Sequence, residues 1–178
     1  GSSYDGEREE FLSGIPLPLT DGVIGPDGAM YFMTGGRRLD SDLYRVHYTG
    51  TEDVAAANKA SELTEGNKIR RQLEEYHTGP KSGALEFAWP YLNNADRFIQ
   101  YAARIAVEHQ PVKEWQGKVL SEKDPATLAQ GIIALARHGS KSQQDQMLNA
   151  LLGVDYSTLT SQQQVAHLRA FELTLSRF

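Results

Sequence analysis

The 178-residue sequence contains no cysteine, which excludes disulfides, zinc–thiolate sites, iron–sulfur ligation and thioether attachment of haem. It also lacks an N-terminal signal peptide and any apolar run near the ~18 residues that a membrane-spanning helix needs. Basic residues are not in excess, because 18 Lys and Arg face 23 Asp and Glu, giving a formal charge of -5. Binding to nucleic acid or to anionic membranes is therefore not expected.

The residues that are present describe a folded protein. Hydrophobic residues make up 40% of the chain and charged residues 23%, and the length suits one domain or a small domain with an appendage. The pattern changes along the chain and defines four regions. These are a polar N-terminal arm (1–14), a β segment (15–50), a linker (51–63) and a helical region (64–178).

The β segment shows short strands separated by turn residues. A Gly-Pro-Asp-Gly turn at 25–28 precedes a predicted strand at 29–34, and a predicted loop at 35–42 leads to a second strand at 43–48. Val23 and Ile24 suggest another strand before the turn. Three short strands make a poor independent domain with exposed edges. We therefore expect the strands to fold against the helices or to form a homodimer through the β edges.

The helical region reads as an initial helix followed by three helix pairs. Asp124 before Pro125 predicts a helix start, as does Thr160 or Ser161 followed three positions later by Gln. Gly139 and Gly153 are predicted to end helices in the left-handed conformation. The predicted pairs span 82–92 with 95–109, 111–121 with 124–138, and 141–152 with 161–177.

The pairs share a spacing of small residues that favours close helix packing. Residues three positions apart recur on the second helix of each pair, and short helix pairs of this kind bury their apolar faces by stacking. The sequence therefore predicts a mainly α protein built as a short solenoid. The residues concerned are Ala103 and Ala106, Gly131 and Ala134, and Ala170 and Leu173.

Residues 96–107 resemble the second helix of a HEAT repeat. Gln100 stands where an arginine is typical of that family, whereas five other residues fall on its pattern: Asp96, Ile99, Ala103, Ala106 and Val107. The resemblance covers about residues 65–178 and implies an α-α superhelix of the HEAT/armadillo-like class. It also implies that the Asp–Arg ladder of such superhelices is incomplete at Gln100.

Residues 21–36 and 43–46 resemble a blade of the six-bladed propeller of soluble quinoprotein glucose and sorbosone dehydrogenases. A blade followed by HEAT-like helices is similar to large exported bacterial proteins that join such a propeller, HEAT repeats and a cytochrome c domain. The resemblance implies a periplasmic or otherwise exported parent whose signal has been cut away or lies upstream. Pyrroloquinoline quinone, calcium or haem would belong to the parent, because no family ligand matches a residue of this chain.

Two residue groups are candidates for an interaction surface. Trp89, Tyr91 and Trp115 form an aromatic concentration that suits either a carbohydrate or peptide platform or a helix core. Arg37 and Arg38 follow two glycines and suit either an anion cradle or a solvated strand connection. Neither group amounts to a reactive site.

The titratable residues show no catalytic spacing. The histidines do not pair at the i,i+3 or i,i+4 spacing of a helical metal site, and three of them lie near predicted helix C-termini, which favours capping or surface roles. The carboxylates Asp96, Glu86, Glu108 and Glu114 are interpreted as helix-surface charges rather than an acid–base pair. The five histidines are His47, His77, His109, His138 and His167.

The sequence thus favours a non-catalytic scaffold or protein-interaction module from a larger multidomain protein. Its expected partners are other domains of the same polypeptide or a separate protein, recognised through distributed contacts. The alternative is a segment of a quinone-dependent sugar or alcohol dehydrogenase that contributes to the enzyme's propeller. No cofactor and no catalytic residue is assigned to the chain itself.

Overall fold

The computed structural model describes residues 1–3, 8–51 and 63–178. The chain divides into two compact units, one formed by Asp5–Ser61 and the other by Gly1–Tyr4 with Glu62–Phe178. Most of the predicted linker, residues 52–62, and residues 4–7 of the predicted arm lie outside the described residues. In the described chain a small antiparallel sheet precedes a set of helices, which confirms the mainly α class with an N-terminal three-stranded segment.

The sheet contains β1 (Leu19–Ile24), β2 (Met30–Gly36) and β3 (Leu39–Val46), hydrogen-bonded in chain order. The predicted loop at 35–42 is wrong, because Gly36 pairs with Leu39 and only Arg37 and Arg38 connect the strands. Arg38, the second of these two residues, has a positive φ of 66°, which is uncommon for a residue other than glycine. The usual Asn-Gly or Asp-Gly signal is missing at this turn, so its position could not be seen in the sequence.

The sheet buries little of its apolar surface. Phe32 stacks on Tyr44 with ring centroids 4.9 Å apart, while all six residues of β1 are exposed. In the described chain β1 and β3 each pair with β2 alone, so both outer edges are open. Pairing of these edges with a second copy stays a prediction.

Among the described residues seven α-helices follow, and those of the three pairs agree with their predicted positions to within a few residues. Short 3-10 turns extend several of them, including Trp89–Asn93 after the second helix. The helices are α1 (Glu65–Glu74), α2 (Ala84–Ala88), α3 (Arg97–Glu108), α4 (Val112–Leu120), α5 (Pro125–His138), α6 (Gln144–Leu152) and α7 (Ser161–Ser176).

The odd-numbered helices pack side by side in chain order. Helix α3 contacts both α1 and α5, and α5 contacts both α3 and α7. Each even-numbered helix packs chiefly on the odd-numbered helix that follows it, so that α2, α4 and α6 contact α3, α5 and α7. Large fully buried side chains at these contacts include Leu73, Leu92, Trp115, Ile132, Leu135, Met147 and Leu151.

The predicted small residues lie where helices approach closely. Ala103, Ala106 and Ala134 are fully buried. A Cβ atom on Gly131 would lie only 2.8 Å from Cγ2 of Val119, so α4 and α5 meet at a distance that only glycine permits.

The helix starts follow the predicted capping chemistry. The Asp124 side chain accepts a hydrogen bond from the Thr127 amide, and Thr160 forms a capping box with Gln163. The predicted left-handed helix ends are wrong, because Gly139 has φ -80° and Gly153 has φ -72°. At Gly139 the reason for glycine is space, since a Cβ atom would lie 2.6 Å from the Leu135 carbonyl oxygen.

Candidate functional site: an arginine cleft

An open cleft of about 570 Å³ lies along the C-terminal halves of α3, α5 and α7. Four of its six lining residues are arginines, contributed by α3, α5, α7 and the residue after α7. We call this site the arginine cleft. It is lined by Arg104, Arg137, His138, Arg169, Leu173 and Arg177.

The helix dipole accounts for the positions of some of these basic residues. Arg137 and His138 occupy the last turn of α5 and Arg177 caps α7, where cations interact favourably with unpaired carbonyl groups. Arg104 and Arg169 lie further from the ends of their helices. Their positions are therefore not accounted for by the dipole.

Glu108 is a buried carboxylate that pairs with three of the residues lining the cleft. Its side chain is 3% exposed, and its Oε2 lies 3.3 Å from Nε of Arg137 and 3.1 Å from Nε2 of His138. Its Oε1 lies 3.7 Å from Nε of Arg104, one helical turn earlier. One buried anion thus holds three basic side chains from two helices, which compensates the cost of burying it.

This arrangement leaves hydrogen-bonding capacity unused. Neither Oε1 of Glu108 nor Nε of Arg104 has a hydrogen-bond partner, although both atoms are buried. Burial lowers the pKa of Arg104, against the opposing effect of the Glu108 charge. Buried polar groups without a hydrogen-bond partner are unusual in folded proteins.

The cleft carries a local excess of positive charge. Four arginines line it, and the carboxylates that pair with them are Glu108 and Glu172, the latter 2.6 Å from Arg169. Residues 63–178 contain 13 Lys and Arg against 12 Asp and Glu, whereas residues 1–62 contain 5 against 11. The negative charge of the whole chain therefore comes from its N-terminal third, and composition alone concealed a basic site in the helical unit.

Sequence reasoning missed this cleft, although the sequence carried a signal for it. Arg104, Arg137 and Arg169 recur at intervals of 33 and 32 residues, the length of one helix pair with its connections. Gln100 of α3 and Gln130 of α5, which are 30 residues apart, also meet, because the Gln130 side-chain amide lies 3.4 Å from Oε1 of Gln100, and Gln100 donates to the Leu92 carbonyl. Amide contacts thus occupy the position at which the resemblance placed an incomplete Asp–Arg ladder.

The alternative of an aromatic platform is wrong and that of a helix core is right, because both tryptophan side chains are buried in the core. Trp115 is fully buried and donates from Nε1 to the Gln110 carbonyl, and Trp89 is 8% exposed and donates to Glu122. A stacking surface for sugars requires exposed rings. Tyr91 is half-buried, with its ring 5.4 Å from that of Phe87.

The alternative of an anion cradle at Arg37 and Arg38 is also wrong. The two preceding glycines belong to β2, and the Gly35 amide donates to the Pro18 carbonyl, so the loop that was to supply free amides is absent. Arg37 and Arg38 are exposed at the tip of the β2–β3 hairpin.

The histidines have structural surroundings. His77 and His109 stack with ring centroids 6.1 Å apart, a contact across 32 residues that sequence spacing could not reveal. Burial lowers the pKa of His167, which lies between Tyr156 and Phe171. Within residues 1–3, 8–51 and 63–178 no three His, Asp or Glu side chains converge as a metal site would require.

Comparisons with known proteins found no matching family model, no matching curated protein and no matching solved structure. None of the described helices is both long and apolar enough to cross a membrane. The role of the protein is therefore inferred from the geometry of the helical unit and its cleft.

Proposed function

We propose that the helical unit is a non-catalytic scaffold and protein-interaction module of a larger polypeptide, built as a HEAT-like α-α superhelix. Support comes from the packing of α1, α3, α5 and α7, in which each helix contacts its neighbours in chain order. Sequential stacking of helix pairs is the organisation of repeat proteins, whose extended faces bind other proteins.

The observation that carries the interaction role is the convergence of arginines from three successive odd-numbered helices on one open cleft. Arginine is enriched at protein interfaces because its planar guanidinium makes directed, paired hydrogen bonds. The partner is another domain of the same polypeptide or a separate protein with a negatively charged surface.

The proposal is tested by site-specific photo-crosslinking in cells that produce the full-length parent protein. A photoreactive phenylalanine analogue replaces Arg177 at the cleft or Lys113 on α4, both of which are exposed. We expect a discrete adduct of defined mass, either to a partner or within the parent protein. Absence of any discrete adduct from both positions would contradict an interaction role.

We also propose that β1–β3 belong to a quinoprotein dehydrogenase-like propeller in the same exported parent. A three-stranded antiparallel meander in chain order, with both outer edges open in the described chain, supports this because blades are built from such meanders. Within the described residues no three His, Asp or Glu side chains converge as a metal site would require. On this proposal any quinone, calcium or haem binds elsewhere in the parent.

This second proposal predicts a difference between the chain and its parent. Pyrroloquinoline quinone with calcium should leave the melting temperature of the 178-residue chain unchanged and raise that of the full-length protein. A parent gene without upstream propeller sequence would rule the proposal out.

A further inference from the structure

We propose that the arginine cleft docks an acidic peptide segment in which two carboxylates occupy alternate positions along an extended chain. This inference rests on the proposed interaction function and adds the chemistry and spacing of the partner. The segment lies across the C-terminal halves of α3, α5 and α7, where the arginines are placed.

The charge of the cleft sets the number of carboxylates. Arg104, Arg137, Arg169 and Arg177 exceed Glu108 and Glu172 by two positive charges. Two carboxylates would balance this excess, and each can accept paired hydrogen bonds from a guanidinium fork.

The spacing of the helices favours a peptide over a single small anion. Neighbouring packed helices lie about 8–10 Å apart, so arginines on three successive helices span more than one phosphate or carboxylate. Alternate side chains of an extended peptide lie about 7 Å apart on one face. Flexible arginine side chains can bridge the small difference, so carboxylates at positions i and i+2 fit successive helices.

Glu108 has a definite part in this site. It holds Arg137 and His138 through Oε2, while its Oε1 and Nε of Arg104 lie 3.7 Å apart without a hydrogen bond. A buried negative charge paired with the lining arginines opposes the binding of a second anion to them. Glu108 therefore competes with the docked segment for the arginines, and neutralising it should tighten binding.

The test uses the complete 178-residue protein and a fluorescent peptide of alternating glutamate and alanine, with binding followed by anisotropy. Two control peptides carry glutamine in place of glutamate, or the same glutamates in adjacent pairs. We expect the alternating peptide to bind most tightly, the paired peptide more weakly and the glutamine peptide not at all. Binding should weaken as salt is raised.

The variants avoid the packed Arg104. Arg169→Gln and Arg177→Gln change exposed side chains, and each should weaken binding about tenfold, the loss of one charge-assisted pair. The matched control is Arg97→Gln, which removes the same charge at the other end of α3 and should leave affinity unchanged. Glu108→Gln should bind several-fold more tightly, with folding checked by tryptophan fluorescence.

The inference would be overturned if the glutamine or paired peptide bound as tightly as the alternating peptide, or if Arg97→Gln weakened binding as much as the cleft variants do. It would also be overturned if Glu108→Gln bound the peptide more weakly than the unchanged protein. Full displacement of the peptide by inorganic phosphate at matched ionic strength would have the same consequence. Specific crosslinks without peptide binding would leave the interaction role intact and remove this inference. Peptide binding without crosslinks would support the peptide site in the cleft but contradict the proposed interaction role in cells.

Discussion

Glu108 shows how burial changes the meaning of a single residue. In the sequence it is one of several helix carboxylates, yet in the structure its side chain is 3% exposed and contacts Arg104, Arg137 and His138. A carboxylate is buried only with charged or hydrogen-bonding partners, because desolvation of an isolated charge is costly. Burial and these partners, rather than residue type, therefore mark Glu108 as part of a site.

Gly131 lies where α4 and α5 approach closely, and Gly131→Ala tests the importance of this approach. The added Cβ would lie 2.8 Å and 3.0 Å from the two methyl carbons of Val119, so the variant should lose about 1–3 kcal/mol of unfolding free energy through overpacking. Chemical denaturation followed by tryptophan fluorescence measures the change.

The matched control for Gly131 is Gly117, an exposed glycine within α4. A Cβ atom there meets no other atom within 4 Å, so Gly117→Ala should raise stability by up to about 1 kcal/mol through helix propensity. Equal effects of the two substitutions would show that the close approach of α4 and α5 is not the cause.

At the scale of the element, the start of α3 is anchored by a distant segment. The Asp96 side chain caps α3 and also accepts from the Ser2 amide at 2.7 Å and the Ser2 hydroxyl at 2.9 Å. On α1, the side-chain amide of Asn67 donates a hydrogen bond to the Ser2 carbonyl. The neighbouring Gly66 is packed against the same residue, because a Cβ atom on Gly66 would lie 3.1 Å from the Ser2 backbone nitrogen. The first residues therefore link α1 to α3.

These contacts predict a pH dependence of stability. Hydrogen bonds led by the Ser2 amide lower the pKa of Asp96 to about 2, although partial desolvation opposes them. The ordinary pKa of an aspartate in the unfolded chain is about 3.9, so the Asp96 carboxylate stabilises the fold fully at pH values above it. As pH falls from there toward 2, the unfolded chain takes up the proton first, and the stabilisation is lost. Asp96→Asn should remove that part of the dependence.

Tryptophan fluorescence isolates this effect, because both tryptophans of the chain, Trp89 and Trp115, lie in the helical unit. The quantity to compare is the difference in stability between the unchanged protein and Asp96→Asn from pH 5 to pH 2. Asp27, whose pKa is lowered to about 2 chiefly by Arg45, provides the control in the sheet. A difference that stays constant with pH, or an equal effect of Asp27→Asn, would contradict the assignment.

At the scale of the whole molecule, burial is uneven along the odd-numbered helices. Ten of the 14 residues of α5 are buried, compared with three of 16 in α7 and one of 10 in α1. Helix α5 has packed neighbours on both sides, whereas α1 and α7 have one odd-numbered neighbour each in the described chain. Stability should therefore decline from α5 toward both ends.

Amide hydrogen exchange of the complete chain measures this gradient. We expect the slowest exchange in α5, intermediate exchange in α3 and the fastest in α1 and α7, because the outer helices can open without disrupting the centre. Uniform protection across the helices would indicate a single cooperative core and would count against the proposed superhelix.

The sequence by itself determined the local structure, because caps, prolines and apolar spacing act over a few residues. Asp124, Thr160 and the recurrent small residues were sufficient to predict the helix pairs, and the turn at 25–28 predicted the first hairpin. Local sequence signals did not predict geometry that depends on a neighbouring segment. Gly139 is needed because a side chain would have no space there, not because its backbone is left-handed, and the β2–β3 turn is formed by two arginines.

Only the tertiary structure decided the site. Trp89 and Trp115, prominent in the sequence, are core residues, whereas Arg104, Arg137 and Arg169, more than 30 residues apart, line one cleft. Which side chains are buried and which charges meet depends on how the helices stack, and stacking brings together positions that no local pattern relates.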